Sequence, residues 1–146
     1  MVQKHDANIN YIHEYGFQKP KKRKSALLVA VKRGLYGTVD AIISLNADVN
    51  VQDHKGRTLL HHAIKRADYR MVKLLLSRGA QVMLNDISGN SPLHVATIYG
   101  HSELIKLLLK YGGDLYKKGQ YGAIPIHIAA REGHLSIVKL FYDSYE

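Results

Sequence analysis

Apolar positions in this chain come in short paired blocks separated by polar, glycine-containing turns, and the pairs repeat. Leu60, Ala63 and Ile64 share one helical face at three-to-four spacing, and Val72, Leu75 and Leu76 share a second face shortly after. The first block returns in Leu93-His94-Val95-Ala96 and in Ile126-His127-Ile128-Ala129. The second returns in Leu104-Ile105-Lys106-Leu107-Leu108-Leu109 and in Ile137-Val138-Lys139-Leu140-Phe141-Tyr142. The register holds: Gly56, Gly89 and Gly122 stand 33 residues apart, as do Ala63, Ala96 and Ala129, and Gly100-His101 recurs as Gly133-His134. A weaker copy runs from Arg23 through Ser25-Ala26-Leu27-Leu28-Val29-Ala30, Gly34 and Val39 to Ile43, ending at Ala47-Asp48-Val49-Asn50. The pattern predicts three clear copies and one degenerate one, each with two short helices.

Local chemistry marks the ends of these helices. Thr58 and Ser91 are oxygen-bearing residues suited to accept from the free N–H groups of a first turn. Pro92 and Pro125 suit the first helical position, where no N–H is needed. Gly79, Gly112 and Gly113 follow the second blocks, where a left-handed residue stops a helix at little cost. A single helix pair cannot bury two apolar faces, so neighbouring copies must stack and the terminal ones need altered outer faces. The first copy meets that demand with Ser25-Ala26-Leu27-Leu28 in place of the repeated motif. The fourth copy stops inside its second helix at Tyr145-Glu146, which fits equally a natural end and a cut from something longer.

The aligned segments Gly56-Arg57-Thr58-Leu59-Leu60-His61-His62-Ala63, Gly89-Asn90-Ser91-Pro92-Leu93-His94-Val95-Ala96 and Gly122-Ala123-Ile124-Pro125-Ile126-His127-Ile128-Ala129 resemble the ankyrin repeat family. Its signature runs Gly-x-Thr-Pro-Leu-His-x-Ala, then Gly-His, an Ile-Val-x-Leu-Leu-Leu block and Gly-Ala-Asp-Val-Asn. The resemblance covers residues 21–146. It implies an all-α solenoid of four helix-turn-helix pairs joined by β-hairpin-like turns, with copies at about 21–53, 54–86, 87–119 and 120–146. Residues 1–20 are then a polar leader, read as a cap on the first copy in preference to a docking peptide. Three departures are expected to weaken individual caps: Leu59 for the proline, Ile124 for the threonine, and Ala67-Asp68 for Gly-His.

The resemblance also implies a function, that of a non-enzymatic protein-protein interaction module serving as adaptor, regulator or effector. In the family the ligand-facing concave groove is lined by the hairpin tips and the variable end of each first helix. Those places hold Lys21, Lys22, Lys24, Lys32 and Arg33 in the first copy, and His54, Lys55, Arg57, Lys65 and Arg66 in the second. The third carries Ile87, Ser88, Asn90, Ile98 and Tyr99, and the fourth Gln120, Tyr121, Ala123, Arg131 and Glu132. The expected partner-binding set is Lys32, Arg33, His54, Lys55, Arg57, Lys65, Arg66, Ile98, Tyr99, Tyr121 and Arg131.

Charge sharpens that picture. The formal balance is +9, and residues 1–73 carry 14 Lys and Arg against 6 Asp and Glu, while residues 74–146 carry 7 against 6. The surplus falls on the groove positions of the first two copies, and an apolar, tyrosine-bearing stretch follows. An acidic protein segment with an apolar end near Tyr99 and Tyr121 is the expected partner. Nucleic acid, or a chromatin-associated role in the nucleus, is the rival for so basic a surface, although no base-reading motif and no aromatic platform accompany the basic half. Pro20-Lys21-Lys22-Arg23-Lys24 resembles a nuclear import signal and also falls in the first hairpin, so both readings stay open.

Other chemistries find little support. With no cysteine, disulfides and thiolate metal sites are excluded, which fits a reducing intracellular compartment, cytoplasmic or nuclear. His61, His94 and His127 recur with the period, as do His101 and His134, and no carboxylate recurs beside them at ligand spacing. They are read as structural and no metal site is expected; His62 alone does not fit the series. There is no phosphate-binding loop and no nucleophile elbow, so neither an enzyme nor a cofactor is expected. No apolar run approaches the roughly 20 residues that span a bilayer, and the polar stretch Met1 to Asn10 lacks the core of a secretion signal. A monomer is expected, with no membrane contact.

Overall fold

The computed structural model describes residues 26–145. Within them the chain forms four consecutive helix pairs: α1 (Ala26–Lys32) and α2 (Tyr36–Ser44), α3 (Leu59–Lys65) and α4 (Tyr69–Ser77), α5 (Pro92–Tyr99) and α6 (Ser102–Lys110), α7 (Pro125–Arg131) and α8 (Leu135–Ser144). A single 3-10 turn, Gln120–Gly122, precedes α7. The leader, the basic run Pro20–Lys24 and the groove candidates Lys21, Lys22 and Lys24 lie outside the described residues.

Each first helix starts where its cap allows. The Thr58 hydroxyl accepts from the His61 N–H, and His61 Nδ1 in turn accepts from the Thr58 N–H at 3.0 Å, so two donors of the first turn are satisfied reciprocally. Ser91 and His94 repeat the arrangement, with Pro92 pre-set for the first position. Leu59 therefore leaves its cap intact, contrary to expectation. Ile124 has no oxygen to offer, and only a 3.5 Å contact from its N–H to His127 Nδ1 remains.

Each pair is then closed by one recurring bond. The N–H of Leu35, Asp68, His101 and His134 returns to the carbonyl of Ala30, Ala63, Ala96 and Ala129 respectively, at 2.9–3.0 Å. The residue just before each donor is left-handed: Gly34, Ala67, Gly100 and Gly133, with φ of 69, 58, 73 and 74°. Ala67 occupies a conformation that suits glycine. Asp68, which displaces the motif's histidine, caps α4 by accepting from the Met71 N–H at 3.1 Å and holds the first copy through the Tyr36 hydroxyl at 2.8 Å.

The pairs stack in register. First helices form one row, α1 on α3, α3 on α5 and α5 on α7; second helices form another, α2 on α4 and α4 on α6. Between the rows runs one continuous core that includes Leu27, Val31, Leu60, Ile64, Met71, Leu75, Leu93, Ile105, Leu108, Ile137 and Phe141, each 2% exposed or less. Burying a side chain of this size contributes about 1.5–3 kcal/mol, so the stacked faces decide the architecture. The connections after α2, α4 and α6 turn back as short hairpins. Each tip is closed by two backbone bonds, Asp53 N to Arg57 O with Gly56 N to Asp53 O, Asp86 N to Asn90 O with Gly89 N to Asp86 O, and Gly119 N to Ala123 O with Gly122 N to Gly119 O. The only ladder-type pairing among the described residues is a single antiparallel bridge, Gln52 to Thr58. The all-α solenoid with hairpin-like turns is the fold observed.

Candidate functional site

The hairpin tips and the C-terminal ends of the first helices lie along one side of the stack, and the tip of the second copy is built around Asp53. Its Oδ1 accepts from the N–H groups of Lys55 and Arg57, both at 2.9 Å. Its Oδ2 accepts from Arg57 Nε at 3.0 Å and His62 Nε2 at 2.9 Å. The carboxylate is 3% exposed. Burial alone would raise its pKa, but the hydrogen bonds from Arg57, His62 and Lys55 overcome burial and hold it at about 2. For His62 burial wins over the attraction of Asp53 and lowers the pKa, so the ring is neutral near pH 7 and donates through Nε2.

One buried negative charge is thus engaged by the Arg57 guanidinium and the neutral His62 ring, and the cations Lys32, Lys65 and Arg66 are left over. Lys32, Arg57, His62, Lys65 and Arg66 surround a hollow of about 440 Å³ between the first and second copies. Arg66 closes one side by donating from Nη1 to the Lys32 carbonyl across the junction. Among the described residues Lys32, Lys65 and Arg66 form no salt bridge.

A smaller hollow of about 190 Å³ adjoins it between the second and third copies, sharing Arg57, His62 and Lys65 and adding Asp86, Asn90, Val95, Ile98 and Tyr99. Tyr99 is 46% exposed, and its ring stacks on His101 with centroids 6.0 Å apart. Asp86 braces its tip as Asp53 does, accepting from the N–H groups of Ser88 and Asn90 at 2.9 Å. The groove therefore passes from a cationic chamber to a mixed one, in which Val95, Ile98 and Tyr99 stand beside the shared Arg57 and Lys65, His61 and the Asp86 carboxylate.

Of the residues expected in the groove, Lys32, Arg57, Lys65, Arg66, Ile98 and Tyr99 are brought together. Arg33, His54, Lys55, Tyr121 and Arg131 line neither hollow. Arg131 sits 3.5 Å from Glu132, and Tyr121 stands 90% exposed at the fourth tip. Asp53, Asp86 and Val95 were not expected. Asp53 and Asp86 are 33 residues apart, and that repetition was the available signal. His62, the residue outside the histidine series, forms the floor of both chambers.

Of the recurring histidines, His61, His94 and His134 join copies. His61 Nε2 lies 2.8 Å from the Asn90 carbonyl, and His94 Nε2 lies 2.8 Å from the Lys117 carbonyl. With Nδ1 facing a backbone N–H and Nε2 facing a carbonyl, each ring must be the neutral tautomer, and burial lowers both pKa values. Among the described residues no group of three or more histidines and carboxylates is placed to hold a metal ion, and no helix is long and apolar enough to cross a membrane.

A second surface lies at the far end of the stack. Leu135, Val138 and Tyr142 of α8 border an open apolar hollow of about 810 Å³, with Leu135 79% and Tyr142 71% exposed. Val72 and Ile105, which occupy the register of Val138 in the preceding copies, are fully buried. The larger volume there reflects an uncovered stacking face and contains none of the groove residues.

A family model for ankyrin repeats (3 copies) matches residues 2–86 and 60–146. No curated protein matches the chain.

Proposed function

The chain belongs to the ankyrin repeat family, whose members are in general protein-protein interaction modules, and from that premise we propose that it is a non-enzymatic adaptor or regulator that binds an acidic segment of another protein in its basic groove. The observation that supports this reading is the pairing within the two chambers: Asp53 engages Arg57 and His62, while Lys32, Lys65 and Arg66 face the larger hollow without a carboxylate. Val95, Ile98 and Tyr99 lie next to that charge and offer an apolar anchor. The groove is built on capped helices and braced tips, so binding costs it little ordering entropy. Long-range attraction between the cations and an acidic segment speeds association at low salt, and the apolar side chains slow release.

Affinity capture from nuclease-treated cell extract, comparing wild type with a Lys32→Glu, Lys65→Glu variant of verified helicity, tests the reading. Among the described residues neither lysine side chain has a hydrogen-bond partner, so the variant removes charge and leaves the scaffold. Proteins held by wild type and lost by the variant are the expected result. If both retain the same proteins, the groove is not the binding surface. If the two differ only in nucleic acid recovered without nuclease, the protein-partner reading fails in favour of a nucleic-acid ligand.

A further inference from the structure

We propose that the chamber between the first and second copies receives a phosphoryl dianion carried on a side chain of the partner protein, in preference to a carboxylate. This rests on the groove reading and names the chemistry that the groove selects.

The argument is one of charge and donors. Lys32, Arg57, Lys65 and Arg66 line a single hollow of about 440 Å³ with no carboxylate in its lining among the described residues, and Asp53, behind Arg57 and His62, is 3% exposed and already hydrogen-bonded to both. The surplus at the opening is that of Lys32, Lys65 and Arg66. A carboxylate brings one negative charge, whereas a phosphate monoester brings about two and a third strong acceptor oxygen. Coulomb attraction grows with the product of the charges, so a concentrated surplus discriminates in favour of the dianion. The donors match as well. Among the described residues Arg57 commits only Nε, to Asp53, and Arg66 commits only Nη1, to the Lys32 carbonyl. Each guanidinium keeps nitrogen donors for a second acceptor, the geometry suited to phosphate oxygens.

The surroundings favour an isolated phosphoryl group over a nucleic-acid backbone. A backbone presents one charge per phosphate and needs cations along its track. Here the positive chamber gives way within one copy to Val95, Ile98, Tyr99 and the carboxylate of Asp86. A phosphorylated side chain followed by an apolar one fits both chambers at once.

The test uses the full chain and two capped dipeptides, phosphoserine-leucine and glutamate-leucine, titrated at matched ionic strength with backbone amide shifts as the readout. The expected result is binding of the phosphorylated probe at least about fivefold tighter, with shifts at Lys32, Lys65 and Arg66 and at Ile98 and Tyr99. Lys65→Glu removes the preference, and Lys73→Glu, an exposed change of the same charge on α4 that borders neither chamber, keeps it. Equal or tighter binding of the glutamate probe overturns the phosphoryl assignment and leaves the acidic-segment reading standing. No shift in the chamber with either probe also overturns it, with the capture experiment left to judge the groove. A single-stranded oligonucleotide that saturates the same amides more tightly per phosphate than the phosphorylated probe would overturn both.

Discussion

In the second and third copies the first helix is tied both to its own cap and to the next copy, while in the fourth it is tied to neither in the same way. His61 and His94 are 3% and 0% exposed, and each reaches across a junction to a carbonyl at 2.8 Å. His127 occupies the same register, is exposed, and keeps only the 3.5 Å contact to the Ile124 N–H among the described residues. The tips differ in parallel. Where Asp53 and Asp86 brace theirs, the fourth has Gly119, because a Cβ there would stand 2.7 Å from Asn90 Oδ1 and His94 Cδ2. The bracing carboxylate is lost to make room for the neighbour, and Tyr121 is left at φ 60°. The helix pair itself is unchanged. Apolar patterning and a proline at the first position suffice to form it, and the polar devices add the junctions that turn separate pairs into one body.

The largest effect that would break this comparison is a histidine deletion. Truncating His94 leaves the buried Ser91 N–H and the half-buried Lys117 carbonyl without the ring as partner and opens a void, so His94→Ala is expected to cost about 3 kcal/mol. His127→Ala is expected to cost less than about 0.5 kcal/mol. Urea unfolding of the two variants against wild type decides it, and equal losses would show that the recurring histidines do not join copies.

Acid should act on the same junctions more gently, because protonation leaves the imidazole in place. Burial lowers the pKa of His61, His62 and His94. The unfolded chain therefore takes up protons first as the pH falls below about 6.5. The stability these rings contribute is complete above that pH and is lost as the pH falls through their folded values. Asp53, held at about 2, gives a second loss at lower pH, between its ordinary value near 4 and about 2. Urea midpoints measured from pH 7.5 down to 5.5 should decline, and a His61, His94→Gln double variant should flatten the curve. A rise in the midpoint over that range would contradict the neutral-ring assignment.

Glycines in the same register separate backbone strain from contact. Gly100 and Gly133 have φ of 73 and 74°, yet a Cβ on Gly100 would meet the His134 ring at 2.8 Å, whereas one on Gly133 meets nothing within 4 Å. Gly133→Ala is expected to cost about 1 kcal/mol for the left-handed conformation alone. Gly100→Ala should cost about 2 kcal/mol, since His134 must also give up its 3.0 Å bond to the Ile98 carbonyl. Thermal unfolding of both variants measures the difference, and equal costs would mean that the His134 contact carries no energy.

The scaffold was legible because its signals are local. A recurring glycine, a cap hydroxyl and an apolar face each act within one turn, and a fixed period makes them visible. The junctions were legible in part: the period marks His61 and His94 as structural, but the backbone carbonyls they reach could not be named, since any residue supplies one. Among site residues, Lys32, Lys65 and Arg66 could be placed from the ends of the first helices, but the sequence does not show that Asp53 engages Arg57 and leaves the others free. Arg33 illustrates the limit of register. Arg66, its counterpart, lines the chamber by reaching back to the Lys32 carbonyl of the copy before, whereas Arg33 lines neither hollow.

The smallest expected change runs in the opposite direction and uses the chain's own exception. Ala67 stands where the other three copies have glycine, with φ 58°, so the second copy holds one residue in a conformation costing about 1 kcal/mol or more for an L side chain. Ala67→Gly relieves that strain but loosens the unfolded chain, and the two terms oppose each other. The Ala67 side chain is exposed, so no packing is lost. A net gain of about 0.5 kcal/mol is expected, read as a small rise in the thermal midpoint. The turn adjoins Arg66, so the same variant also asks whether strain aims the chamber. Asp68 caps α4 and binds Tyr36 from the other side of the turn, which anchors it independently of Ala67. Affinity for the phosphorylated dipeptide should therefore stay unchanged while stability rises. A variant that gains stability but loses affinity would show that Ala67 is part of the site as well as the scaffold, and would erase the division between them at this turn.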